Sequence, residues 1–184
     1  MKKSLLPLLP LFILGCLLPY ASMSFEKDFL TDKEIETIQL NQEIHLRVKS
    51  YLEFAAARLK AAEDRLNGIE PVALDPFELM MPEEMLDGYY RILRSVMMNL
   101  DDAYQNPDPR VRPKVRQALK ALKSSTEKSL TQLEILKKIA EEKKNEGLWE
   151  SVNKAIDVTN GAHEGAELGL AKDPEPSSKK KKSK

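Results

Sequence analysis

Apolar residues recur along most of this chain at alternating spacings of three and four. Val48, Leu52, Ala55, Leu59, Ala62 and Leu66 form one such series. That period puts them on a single stripe of an α-helix, facing a neighbour. The helix is predicted from about Thr31 to Asn67. It opens on the capping box Thr31-x-x-Glu34 and closes at Gly68, with Pro71 beyond. Ile69 to Met81 reads as a linker in which Leu74, Phe77 and Leu79 pin the loop to the bundle end. A second helix starts at Pro82 and runs to about Asn106 with Met85, Tyr89, Ile92, Val96 and Leu100 inward. A third runs from Arg110 or Pro113 to Asn145, carrying Val115, Leu119, Leu122, Leu130, Leu133, Leu136 and Ala140. Ser124 to Thr126 interrupts it as a polar bend. Gly147 breaks the chain, and a fourth helix spans about Leu148 to Leu170 through Val152, Ala155, Ile156, Ala162 and Ala166. No strand-like alternation occurs. The expected fold is all-α: an antiparallel bundle of about four long amphipathic helices, up-down-up-down, because short connections favour antiparallel neighbours.

The two ends do not fit this pattern. Met1-Lys2-Lys3, the apolar run Ser4–Leu18 and the small residues Ala21, Ser22 and Ser24 have the form of a secretory signal peptide. The apolar run is shorter than the roughly 20 residues that a spanning helix needs. Two processing sites are open. Ser22 and Ser24 suit cleavage before Phe25. Ile13-Leu14-Gly15-Cys16 resembles the lipobox of bacterial lipoproteins, and that resemblance implies lipidation of Cys16 and a membrane tether. The domain reading is therefore 1–24 signal peptide (or a lipoprotein signal to Gly15), 25–171 helical bundle and 172–184 a disordered basic tail, which has no apolar surface to bury.

Charge and chemistry change the picture only slightly. The formal net charge is zero, but the tail conceals a body, Phe25 to Ala171, that is acidic by about six charges. Cys16 is the sole cysteine, so the mature body has no disulfide and no thiol chemistry. His45 and His163 are the only histidines, and neither belongs to an inward Glu-x-x-His pair of the ferritin-like kind. Asn41 and His45 continue the first stripe as a polar layer, a device that fixes register. The methionine pairs Met80-Met81 and Met97-Met98 read as core filling. Gly161, Gly165 and Gly169 fall on one i,i+4 row that resembles the small-xxx-small faces of membrane helices, and predict close approach of a neighbouring helix. Lys179, Lys180, Lys181 and Lys182 form a run suited to an anionic surface.

No catalytic grouping, phosphate loop, haem motif or metal-ligand spacing is present in the sequence, and neither a cofactor nor a small-molecule substrate is expected. The functional expectation is an exported, non-enzymatic binding or structural module of the bacterial cell envelope, periplasmic, extracellular or lipid-anchored. Its partner would be another envelope protein or a second copy, not nucleic acid. The alternative is a small-ligand or metal carrier built around His45.

Overall fold

The computed structural model describes residues 29–106 and 108–172, and within them the chain forms five α-helices and no strand. They are α1 (Asp32–Leu40), α2 (Ile44–Leu66), α3 (Pro82–Tyr104), α4 (Arg112–Lys143) and α5 (Glu146–Lys172). None of them is long and apolar enough to cross a membrane. The predicted stripes supply the core. Val48, Leu52, Ala55, Leu59, Met85, Tyr89, Ile92, Val96, Leu133, Leu136, Val152 and Ala155 are all buried. The predicted leader with Cys16, and the lysine run Lys179–Lys182, lie outside the described residues.

The first predicted helix is two helices. The capping box forms as expected: Glu34 N–H donates to Thr31 Oγ1 (3.3 Å) and Thr31 N–H to Glu34 Oε2 (2.8 Å). The helix then stops at Leu40 and restarts at Ile44. A continuous helix over that span would extend about 55 Å, well past its neighbours, and its stripe would run through the polar Asn41 and His45 with nothing to bury. Turning back at Asn41 lays α1 antiparallel on α2 instead. Asn41 Nδ2 donates to Ser50 Oγ (2.8 Å), and Arg47 Nε donates to the freed Asn41 carbonyl (3.2 Å).

One buried charge holds α1 down. Arg58 is 1 % exposed. Its Nη1 and Nη2 donate to Glu34 Oε1 (2.7 Å) and Oε2 (2.8 Å), and Nη2 also donates to the Phe29 carbonyl (2.6 Å). The guanidinium lies 5.0 Å from the centre of the Phe77 ring. Gly88 makes room for it on α3: a Cβ there would lie 2.9 Å from Arg58 Nε. A glycine inside a helix costs about 1 kcal/mol relative to alanine, so at this position space outweighs propensity. Burial pushes the Glu34 carboxyl up, but hydrogen bonds from Arg58 and Thr31 outweigh it and hold the group below the usual carboxylate range.

Helices α2 to α5 form a four-sided bundle. Alternation of direction follows the expectation, but the order around the bundle is α2–α3–α5–α4. Helices α3 and α4, adjacent in sequence, stand across a diagonal and meet little, and α2 and α5 do not meet. The fold is therefore two antiparallel hairpins, α2–α3 and α4–α5, laid side by side. Their like-directed members touch: Lys114 pairs with Glu43 (2.7 Å) and Gln132 with Glu63 (2.6 Å) between α2 and α4. Lys154 pairs with Asp87 (3.2 Å) and Tyr89 with Thr159 (2.8 Å) between α3 and α5.

Two expected breaks move. The polar stretch Ser124–Thr126 does not interrupt α4, which is continuous through it; Thr126 is buried and its Oγ1 donates to the Leu122 carbonyl (2.9 Å). The α4–α5 break falls at Lys144, which takes a left-handed conformation (φ 51°), and Asn145 Oδ1 caps α5 by accepting from Leu148 N–H (3.0 Å). Gly147 sits inside the first turn of α5.

The pair's contribution to stability is in place above the ordinary carboxylate pKa of about 4.3 and is lost as pH falls through the lower folded value. Glu34→Gln should loosen α1 by about 3 kcal/mol at pH 7 and flatten the acid limb of the stability curve. Denaturant unfolding at pH 7 and near pH 3, with amide exchange across α1, measures both; parent-like stability and parent-like acid dependence would contradict the clasp.

Candidate functional site

The residues singled out in the sequence do not assemble into one site. Asn41 is engaged with Ser50 at the α1–α2 turn. His45 is half-buried beside Glu43, with Nδ1 3.4 Å from Oε2. His163 lies on α5, hydrogen-bonded through Nδ1 to Thr126 Oγ1 (3.0 Å) and 3.6 Å from Glu167 through Nε2. Since α2 and α5 do not touch, the two histidines stay apart. Among the described residues, no group of three His, Cys, Asp or Glu side chains is placed to hold a metal ion.

The central polar layer of the core lies elsewhere. Tyr89, Ser129 and Thr159 meet at mid-bundle, all buried. Thr159 donates to the Ala155 carbonyl (2.6 Å) and so accepts from Tyr89 Oη (2.8 Å), while Ser129 bonds the same phenol. Burial pushes the Tyr89 phenol up, and the two hydroxyls only partly offset that. The phenol is neutral at physiological pH and each partner is satisfied, so the layer sets register between α3, α4 and α5. On α4 this layer displaces an expected leucine: Ser129 is buried and Leu130 only half-buried.

The glycine row is a correction. Gly161 and Gly165 face open space, with nothing within 4 Å of an added Cβ. Only Gly169 meets a neighbour, where a Cβ would lie 2.9 Å from Leu119 Cδ1. The buried small residues of α5 are Ala155, Ala162 and Ala166, a face apart from the first two glycines.

The linker between α2 and α3 departs furthest from expectation. Its chain reversal is well built: Gly68 takes φ 77°, Ile69 N–H donates to the Asp64 carbonyl (2.8 Å), and Asp75 Oδ1 accepts from Phe77 N–H (2.8 Å). Arg65 Nη2 adds bonds to the Phe77 (3.1 Å) and Glu78 (3.3 Å) carbonyls. Yet of the three side chains expected to pin it, only Phe77 is buried, against Ala62 and Met85. Leu74 is 95 % exposed and Leu79 93 %. Ile69, Val72 and Met81 are exposed beside them.

Leu74 also carries strain. Its φ of 70° lies in the left-handed region, which costs a side-chain-bearing residue roughly 1–2 kcal/mol. No packing offsets this, since the side chain stands in solvent. The surface around it is acidic. Between Arg65 and Arg91 the chain has no lysine or arginine, but it has Glu70, Asp75, Glu78, Glu83, Glu84 and Asp87. Next to this tip a groove of about 430 Å³ opens between the start of α3 and the segment before α1, with Phe29, Met80 and Gly88 as its apolar lining and Glu83, Glu84, Asp87 and Arg91 as its charged groups. An exposed apolar tip with carboxylates beside it is the kind of surface that binds a partner. The sequence signal for it was the uninterrupted run of acids among apolar residues, not the spacing that had suggested pinning.

Two stability measurements check this geometry. Gly165→Leu should leave the unfolding midpoint unchanged or raise it, by up to about 1 kcal/mol, whereas Gly169→Leu should lower stability by about 1 kcal/mol or more. Loss at Gly165 would restore the packed ridge. Separately, Leu74→Gly should hold or gain up to about 1 kcal/mol, because glycine adopts the left-handed conformation without strain. A clear loss would show that Leu74 stabilises the fold itself.

No known protein family, curated protein or solved structure matches this chain, so the reading of its function rests on the sequence and on the geometry described above.

Proposed function

We propose that this chain is an exported, non-catalytic binding module of the cell envelope, and that it engages a protein partner through the α2–α3 tip. The observation that supports the reading most directly is the placement of Leu74 and Leu79. Both leucines are held almost wholly in water, and one of them is held there at a backbone strain that nothing in the fold repays. Isolated exposed apolar residues are common on any protein. Five of them clustered on one short linker, Ile69, Val72, Leu74, Leu79 and Met81, are the kind of patch that marks an interaction surface. The bundle behind it is filled by packed aliphatic side chains and one satisfied polar layer, a rigid base for presenting a loop.

Export is the second half of the proposal. It rests on the basic start, the apolar run and the small residues that precede Phe25. Released and lipidated forms differ in mass and in N-terminus, so intact mass spectrometry of the native protein separates a start at Phe25 from a lipid-modified Cys16. A full-length chain retaining Met1 would overturn export by either route. For the tip, a photo-crosslinking side chain at position 74 should capture a discrete envelope protein in cells, while one at the exposed Gly165 should not. Equal capture at both positions, or none at position 74, would overturn the binding reading.

A further inference from the structure

We infer that the α2–α3 tip recognises a basic amphipathic segment of a protein partner: apolar side chains on Leu74 and Leu79, with lysine or arginine set against the acidic rim. The inference rests on the binding-module reading and names the chemistry of its partner.

Three observations converge on this. First, the apolar anchors are already extended. Leu74 and Leu79 are almost fully solvated, on a linker clamped at Phe77 and by Arg65, so little ordering is left to occur on binding. Second, the charges on the linker itself are acidic. Glu70, Asp75 and Glu78 lie among its apolar residues, with Glu70 and Glu78 exposed, while Asp87 farther along α3 is paired with Arg91 and Lys154. Across an interface, such a rim selects a partner of opposite sign and repels one of like sign. Third, the adjacent groove has Phe29 and Met80 at its apolar side and three carboxylates, Glu83, Glu84 and Asp87, against one cation, Arg91, which is paired with Asp87. An apolar tip that runs into an acid-edged groove suits a peptide whose one face is apolar and whose flanks are basic.

The same observations disfavour the other occupants. A second copy presenting its own tip would bring carboxylates against carboxylates. The chain's own basic stretch, Lys179 to Lys182, contains no apolar residue to set against Leu74 and Leu79. An anionic membrane surface would be repelled by the exposed carboxylates of Glu70 and Glu78 on the linker.

The test uses protein purified from its native source and two fluorescent helical peptides. They share one leucine pattern; one has lysine on its polar face and the other glutamate. Anisotropy should show binding of the leucine–lysine peptide and none of the leucine–glutamate peptide. Binding should weaken about tenfold or more in Leu74→Ser/Leu79→Ser, weaken in Glu70→Lys/Glu78→Lys, and fall as salt rises. Both pairs of positions are exposed, so circular dichroism should show each variant folded. Equal binding of both peptides, or undiminished binding by the leucine variant, would overturn the inference. So would binding of the protein to anionic lipid vesicles in preference to the lysine peptide. If neither peptide binds while position 74 still crosslinks to an envelope protein, the basic-partner chemistry fails and the binding module stands. If position 74 crosslinks to nothing, the module itself fails.

Discussion

Burying a guanidinium is costly unless its donors find partners, and the N-terminal half of this protein is arranged around supplying them to the two terminal nitrogens of Arg58, its Nε alone going without. Glu34 supplies two carboxylate oxygens from α1, and the Phe29 and Phe54 carbonyls supply two more acceptors. Phe77 offers its ring from the α2–α3 linker, and Gly88 gives up its side chain on α3. Four separate segments are therefore brought to one point by one charge. A hydrophobic residue in place of Arg58 could fill the volume, but it would not fix where Glu34 goes. The capping box shows the same economy, because Glu34 both closes the start of α1 and binds Arg58. The linker that carries the exposed leucines is moored at Phe77, so the tip inherits its position from this centre.

The C-terminal half is organised differently. Its hairpin, α4–α5, meets the first through aliphatic contacts, a neutral polar layer and exposed pairs such as Lys154 with Asp87. Tyr89, Ser129 and Thr159 do for α3, α4 and α5 what Arg58 does for α1, α2 and α3, but without the cost of desolvating a charge. Side-by-side hairpins follow from the contacts between like-directed helices. Matched positions climb together along α2 and α4, from Glu43 with Lys114 to Glu63 with Gln132. This arrangement sends the α3–α4 connection across one bundle end and puts the α2–α3 linker at the other, beside the α4–α5 turn, whose Asn145 bonds Glu83.

Polar contacts at the surface have lesser roles. Lys123 and Glu167 hold the outer seam of α4 and α5, beside His163, and hydrogen bonding to its lysine partner holds the Glu167 carboxyl below its usual range. Exposed pairs of this kind contribute little to stability and more to orientation. They are consistent with a scaffold whose precision comes from its two internal polar points and whose outer faces are charged helix with single exposed apolar residues such as Met98, Trp149 and Leu168.

The sequence by itself determined the all-helical character of the chain and most of the core, though not every helix boundary. Helical periodicity is a local property, and a residue's place on a stripe needs only its neighbours three and four positions away. Hence Val48, Leu52, Tyr89, Leu133 and Val152 were legible as core, and Thr31 with Glu34 as a cap. What tertiary structure alone decided were the questions that turn on a distant partner. Asn41 ends α1 because Arg58 lies where a returning Glu34 can reach it. Gly88 makes room for Arg58 while Gly161 and Gly165 face open space, because crowding at a helical glycine depends on whether another chain segment comes to it. Ser129 is buried and Leu130 is not, because a tyrosine from α3 needs a hydroxyl there. Leu74 and Leu79 looked like anchors from their hydrophobicity; whether an apolar side chain meets a core or stands in water depends on where the linker's one moored residue, Phe77, lets the backbone run.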